Sequence, residues 1–164
     1  MTLAKDLARA LATTEDFEAP LASIPYAVFL GLRFGRQAGA LFLRMPFKEA
    51  LVGAPFPPRL HGGTLGALME FAGAIAVFAA QSEQGDTPAG FAKPIGITID
   101  YMRAGAPKDS FARGEVQRLG RRVVNVHSWA WQDAPSRPIA AARMHFLIAD
   151  EGSHPKTPQS PIKK

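Results

Sequence analysis

Hydrophobic and polar positions change period several times along the chain, and each change marks an element. Leu3, Leu7 and Leu11 recur at helical spacing with charges between them. That pattern predicts an amphipathic lead-in helix and lacks the uninterrupted apolar centre of a signal peptide. Phe29 to Gln37 and Gly39 to Met45 flank a short turn and predict a hairpin. Leu65 to Ala80 is apolar except for Glu70, too short for the roughly 20 residues of a membrane span and interrupted by an acid, so it predicts a buried helix. Beyond it, Ile95, Ile97, Ile99 and Tyr101 alternate with Gly96, Thr98 and Asp100, the period of a strand. Phe111 to Leu119 and Val123 to Trp131, split by Gly120-Arg121-Arg122, predict a second hairpin, and Ile139 to Ala149 a last strand. The order is helix, two strands, one long helix, four strands. With no βαβ rhythm, it predicts an α+β fold in which an antiparallel sheet wraps one central helix. Residues 1–27 then form a lead-in helix and loop, 28–149 the folded domain, and 150–164 a proline-rich polar tail.

Composition narrows the chemistry. The 164 residues contain no cysteine, which removes disulfides, thiolate metal sites and a cysteine nucleophile, and fits a cytoplasmic protein. Net charge is +5, which suits an anionic partner, with nucleic acid, a membrane surface and a phosphorylated metabolite all open on charge alone. No Gly-x-Ser-x-Gly, Gly-x-x-x-x-Gly-Lys or Gly-x-Gly-x-x-Gly occurs, so the markers of hydrolase-elbow, phosphate-loop and dinucleotide folds are missing. The four histidines show no metal-ligand spacing with a nearby acid, and no metal is expected.

Two features remain. Leu60-His61-Gly62-Gly63-Thr64 leads straight into the apolar helix. Glycines at a helix start either admit a ligand close to unpaired amides, which favour a developing oxyanion, or simply make a tight turn. Glu70 shares its helix face with Gly63, Gly66, Ala67, Gly73, Ala74 and Val77, while Leu65, Leu68, Ala72, Ile75 and Ala79 lie opposite. A carboxylate on that strip is either a general base with a pKa raised by burial or one half of an ion pair with Arg103 or Arg143. Arg121 and Arg122 at the second hairpin turn either bind phosphate or cap a solvated end.

The chain resembles the hotdog-fold acyl-CoA thioesterases of the phenylacetate-degradation (PaaI-like) type. The resemblance rests on His61-Gly62-Gly63 with an acid nine residues after the histidine, on Leu30-Gly31-Leu32-Arg33-Phe34, on Thr98-Ile99-Asp100-Tyr101-Met102-Arg103-Ala104, and on Leu119-Gly120-Arg121-Arg122-Val123, all in order. It implies a hotdog fold, assembled as a homodimer or homotetramer with active sites between subunits. It implies hydrolysis of an acyl-CoA, with Glu70 as general base or nucleophile and the Gly63 amide as oxyanion donor. His61 would sit beside the thioester or order the loop, Gly62 would line the site, and Arg103, Arg121 and Arg122 would meet the phosphates of coenzyme A. No separate cofactor is implied, since coenzyme A is part of the substrate, and neither nucleic acid nor membrane is a partner. The family's asparagine or glutamine ahead of the histidine is missing from Val52 to Arg59, Asp100 replaces an asparagine and Ala104 a proline. These departures keep open a non-catalytic acyl-CoA binder or sensor, and behind it a hotdog hydratase or dehydratase.

Overall fold

The computed structural model describes residues 21–37, 40–85, 88 and 91–148; the expected lead-in helix over residues 3–11 and the tail lie outside them. Eight strands and one long helix dominate. β1 (Arg33–Gln37), β2 (Ala40–Met45), β5 (Lys93–Tyr101), β6 (Ser110–Leu119), β7 (Val123–Trp131) and β8 (Ala140–Leu147) form one antiparallel sheet in the order β1-β2-β6-β7-β8-β5. β3 (Val52–Pro55) and β4 (Pro58–Leu60) make a separate small hairpin just ahead of the helix.

The central helix, Gly62–Glu83, outruns the apolar segment that predicts it. Its 22 residues are long and apolar enough to cross a membrane, yet 61% of the most apolar window is buried within the fold. Leu65, Leu68, Ala72 and Ile75 are at most 4% exposed, as the pattern predicts. The small-residue strip is covered as well. A Cβ on Gly66 would stand 2.9 Å from the Ile99 side chain, and one on Gly73 2.9 Å from Met144. Much of the strip thus admits the chain's own strands β5 and β8. A helix apolar on every side is a core helix, and here the ridge of Thr64, Ala67, Glu70 and Phe71 is left partly open, as are Ala76 and the last turn.

The first hairpin starts later than its hydrophobic pattern suggests. Residues Pro25–Leu30 form a short helix, with proline at its start and Gly31 at φ 70° closing it. Phe29, read as strand, therefore lies on that helix, where Tyr26 and Phe29 stack and Tyr26 also meets Phe71.

Candidate active site

The site begins at the helix start. Strand β4 delivers Leu60, whose amide donates to the Gly105 carbonyl at 3.0 Å, and the His61 amide donates to Leu51 at 2.8 Å. His61 is the N-cap, in extended conformation, and its ring folds forward so that Nδ1 accepts the Gly63 amide at 3.0 Å. The missing side chain at 63 makes room for this: a Cβ there would stand 2.9 Å from Nδ1. The His61 carbonyl accepts both the Thr64 amide at 3.0 Å and the Thr64 hydroxyl at 2.7 Å. The Gly62 carbonyl accepts the Tyr101 hydroxyl at 3.0 Å.

Those bonds change the assignment of the oxyanion donor. The Gly63 amide, expected to face the ligand, is taken by the histidine that caps the helix. Among the described residues no acceptor is found for the amide of Gly62, which lines a groove of about 330 Å³ with Leu60, Leu65, Tyr101, Met102, Arg103, Ala104 and Gly105. His61, in accepting through Nδ1, orders the loop.

Glu70 sits two turns further on. Burial pushes its carboxyl above the usual carboxylate range. No hydrogen-bond or ion-pair partner for it is found among the described residues. The ion-pair alternatives are occupied elsewhere: Arg103 donates to the Pro138 carbonyl at 2.9 Å, and Arg143 pairs with Asp100 at 3.2 Å. A half-buried carboxylate with no cation has no evident structural purpose, and its raised pKa suits proton transfer.

The chain brings together His61, Gly62, Gly63 and Arg103, with Glu70 about 12 Å along the helix from Gly62 at 1.5 Å per residue. Arg121 and Arg122 do not join them. Their turn follows the sheet row of Lys93, Leu147 and Val123, whereas Tyr101 and Gly62 mark the other end of β5. Eight residues of strand separate these ends, about 26 Å. Two further groups shape the site, Tyr101 within a segment that carries the resemblance and Gln132 without any sequence signal. Tyr101 reads from sequence as one member of an alternating face. The Gln132 side chain bonds both the amide and the carbonyl of Ala106 and the Ser110 hydroxyl, fixing the segment that follows Gly105 of the groove.

A curved antiparallel sheet wrapped on one helix, with a His-Gly-Gly cap and an acid on that helix, defines a hotdog protein. The profile of the acyl-CoA thioesterase N-terminal domain matches residues 53–147, and the chain belongs to that family. Solved structures agree. A protein from Chromobacterium violaceum superposes with a TM-score of 0.64 at 28% identity, covering 91% of this chain and 97% of its own. A thioesterase family protein from Silicibacter pomeroyi gives 0.64 at 18%, covering 90% and 99%. A phenylacetic acid degradation-related protein from Ralstonia eutropha JMP134, assigned provisionally to the thioesterases, gives 0.61 at 20%, covering 87% and 98%. At those two identities the likeness is one of fold. No protein of curated function matches the chain in sequence.

Proposed function

We propose that this thioesterase-family protein hydrolyses an acyl-CoA thioester, with Glu70 as general base or nucleophile and the Gly62 amide as oxyanion donor. The observation that carries this reading is the half-buried Glu70 carboxylate, without a partner among the described residues, on a helix whose first amide lacks an acceptor among them. A thioester carbonyl accepting from Gly62 places its carbon and an attacking water within about 6 Å of that amide, since each contact spans about 3 Å. Glu70 of the same chain starts about 12 Å away. We infer that the two groups acting on one thioester come from two copies of the chain, brought together at an open sheet edge.

Strand β5 offers the surface for that pairing. It is the open edge of the sheet, and its helix-side residue Ile97 is 42% exposed although its partner Met144 is 1% exposed. An apolar edge strand with unpaired backbone groups calls for a second strand. Antiparallel pairing of two β5 strands brings the Lys93 end of one copy, with its Arg121-Arg122 turn, toward the Tyr101 end of the other. That geometry gives the arginines their expected task on coenzyme A phosphates, as anion partners supplied in trans.

Thiol release from short, medium, long and aryl acyl-CoAs tests the reading. Wild-type protein is expected to release thiol and Glu70→Gln to lose at least about 100-fold in kcat/KM. Binding of an acyl-CoA without thiol release would favour the sensor reading instead.

A further inference from the structure

The peptide between Gly62 and Gly63 is held at both ends. Its carbonyl accepts the Tyr101 hydroxyl, and its N–H donates to His61 Nδ1, each at 3.0 Å. The preceding peptide, between His61 and Gly62, has its carbonyl held twice by Thr64. Its own N–H is the Gly62 amide, the donor with no acceptor. Two glycines in succession impose almost no preference on the direction of these planes. Their orientation must come from hydrogen bonds, and three side chains supply them.

Of the three, Tyr101 alone comes from outside the motif. It projects from the end of the edge strand, half exposed, with its ring so close to Gly62 that a Cβ there would stand 3.1 Å from ring carbons. The hydroxyl has one partner, the Gly62 carbonyl. Resting on the thioesterase reading above, we propose that Tyr101 is a positioning residue that fixes the direction of the Gly62 amide toward the thioester oxygen. Without the hydroxyl the 62–63 peptide keeps its bond to His61 and the helical bond at its carbonyl but loses its tie to β5, and the adjoining Gly62 N–H spreads over a wider range of directions. A donor acts on a developing oxyanion through being aimed beforehand, so the loss falls on the transition state. The bond also ties the helix start to the very edge strand proposed to meet a second copy, so pairing and amide direction share one tether.

The test compares Tyr101→Phe with wild type and Glu70→Gln in the full chain. Tyr101→Phe is expected to lower kcat about 10-fold with KM within about twofold, the split of a group that acts in the transition state. The thermal midpoint should stay within about 2 °C, because a lone half-exposed hydrogen bond contributes little. In ¹⁵N-glycine-labelled protein, hydrogen exchange of the Gly63 amide should quicken about 10-fold as its peptide loosens. Wild-type kcat in Tyr101→Phe beside an inactive Glu70→Gln would overturn the positioning role and leave the thioesterase reading standing. Full turnover in Glu70→Gln would overturn the role given to Glu70, and absence of thiol release by the wild type from every acyl-CoA would overturn the thioesterase reading. Unchanged Gly63 exchange in Tyr101→Phe would overturn the clamp whatever the kinetics.

Discussion

Gly53 lies so close to His61 that a Cβ at position 53 would stand 2.7 Å from both the Cα and the Cβ of the histidine. The β3–β4 hairpin is thus packed directly on the residue that caps the central helix. Gly53→Ala is expected to push His61 out of its capping position. A lost cap costs about 1 kcal/mol and the overpacking a similar amount. Chemical denaturation should show the combined loss, and thiol-release assays a fall in kcat.

Gly62→Pro removes one hydrogen-bond donor, and Gly62→Ala controls for the Cβ that both place about 3.1 Å from the Tyr101 ring. Proline is tolerated at the first position of a helix, and the preceding residue must be extended, as His61 is at φ −67° and ψ 130°. Gly62→Pro should keep the helical circular dichroism and lower kcat by about 100-fold or more, the loss of an oxyanion donor. Gly62→Ala adds a side chain against Tyr101 but keeps the N–H, and should retain far more activity.

Glu70 gives opposite signs for activity and stability. Its carboxyl is raised by burial, so the folded chain holds that proton more tightly than the unfolded one. The protonated form therefore favours folding at low pH, and this contribution is lost as pH rises through the folded pKa. Activity needs the carboxylate, so kcat/KM should rise with pH along a limb displaced above the usual carboxylate range. Glu70→Gln should abolish that limb while leaving the thermal midpoint at pH 7 equal to wild type or higher.

At Gly114 the sheet comes close to the backbone of the central helix. A Cβ there would lie 2.5 Å from the Ala72 carbonyl oxygen and 2.8 Å from the Gly73 Cα, both backbone atoms of a buried helix. Nothing flexible can yield. Gly114→Ala is expected to destabilise by about 3 kcal/mol and to lower the thermal midpoint by about 10 °C in scanning calorimetry.

Ile97 tests the assembly. Ile97→Asp places a charge on the apolar, open side of the edge strand. Light scattering should report a monomer, and turnover should fall with it, since Gly62 and Glu70 then lack their counterparts. A fully active monomer would refute the two-copy site.

Much of this was legible beforehand, because period is a local property. The alternation of Ile95 to Tyr101 and of Val123 to Trp131, and the unbroken apolar run behind Glu70, predict three of the major elements within a few residues. The helix face of Leu65, Leu68, Ala72 and Ile75 is buried as drawn. What escaped depends on contacts between distant segments. Whether the Gly63 amide faces a ligand or a histidine ring turns on one rotamer of His61. The fate of the glycine strip depends on which strands lie over it, and the separation of Arg121 from Gly62 on the sheet's register. Phe56 is 93% exposed between β3 and β4. Prolines on both sides told of a turn but not of where it points.

The wrapping of the central helix also sets an order of events at the ribosome. Strands β6, β7 and β8, which supply most of its cover, follow it in the chain. Once Glu83 has emerged, 64 more residues must be added before Leu147 completes the sheet. At about 5–20 residues per second, a segment apolar enough for a bilayer waits roughly 3 to 13 s without its covering strands. Over that wait the nascent chain presents an apolar surface in which, from Leu65 to Ala80, the Glu70 carboxylate is the one charged interruption.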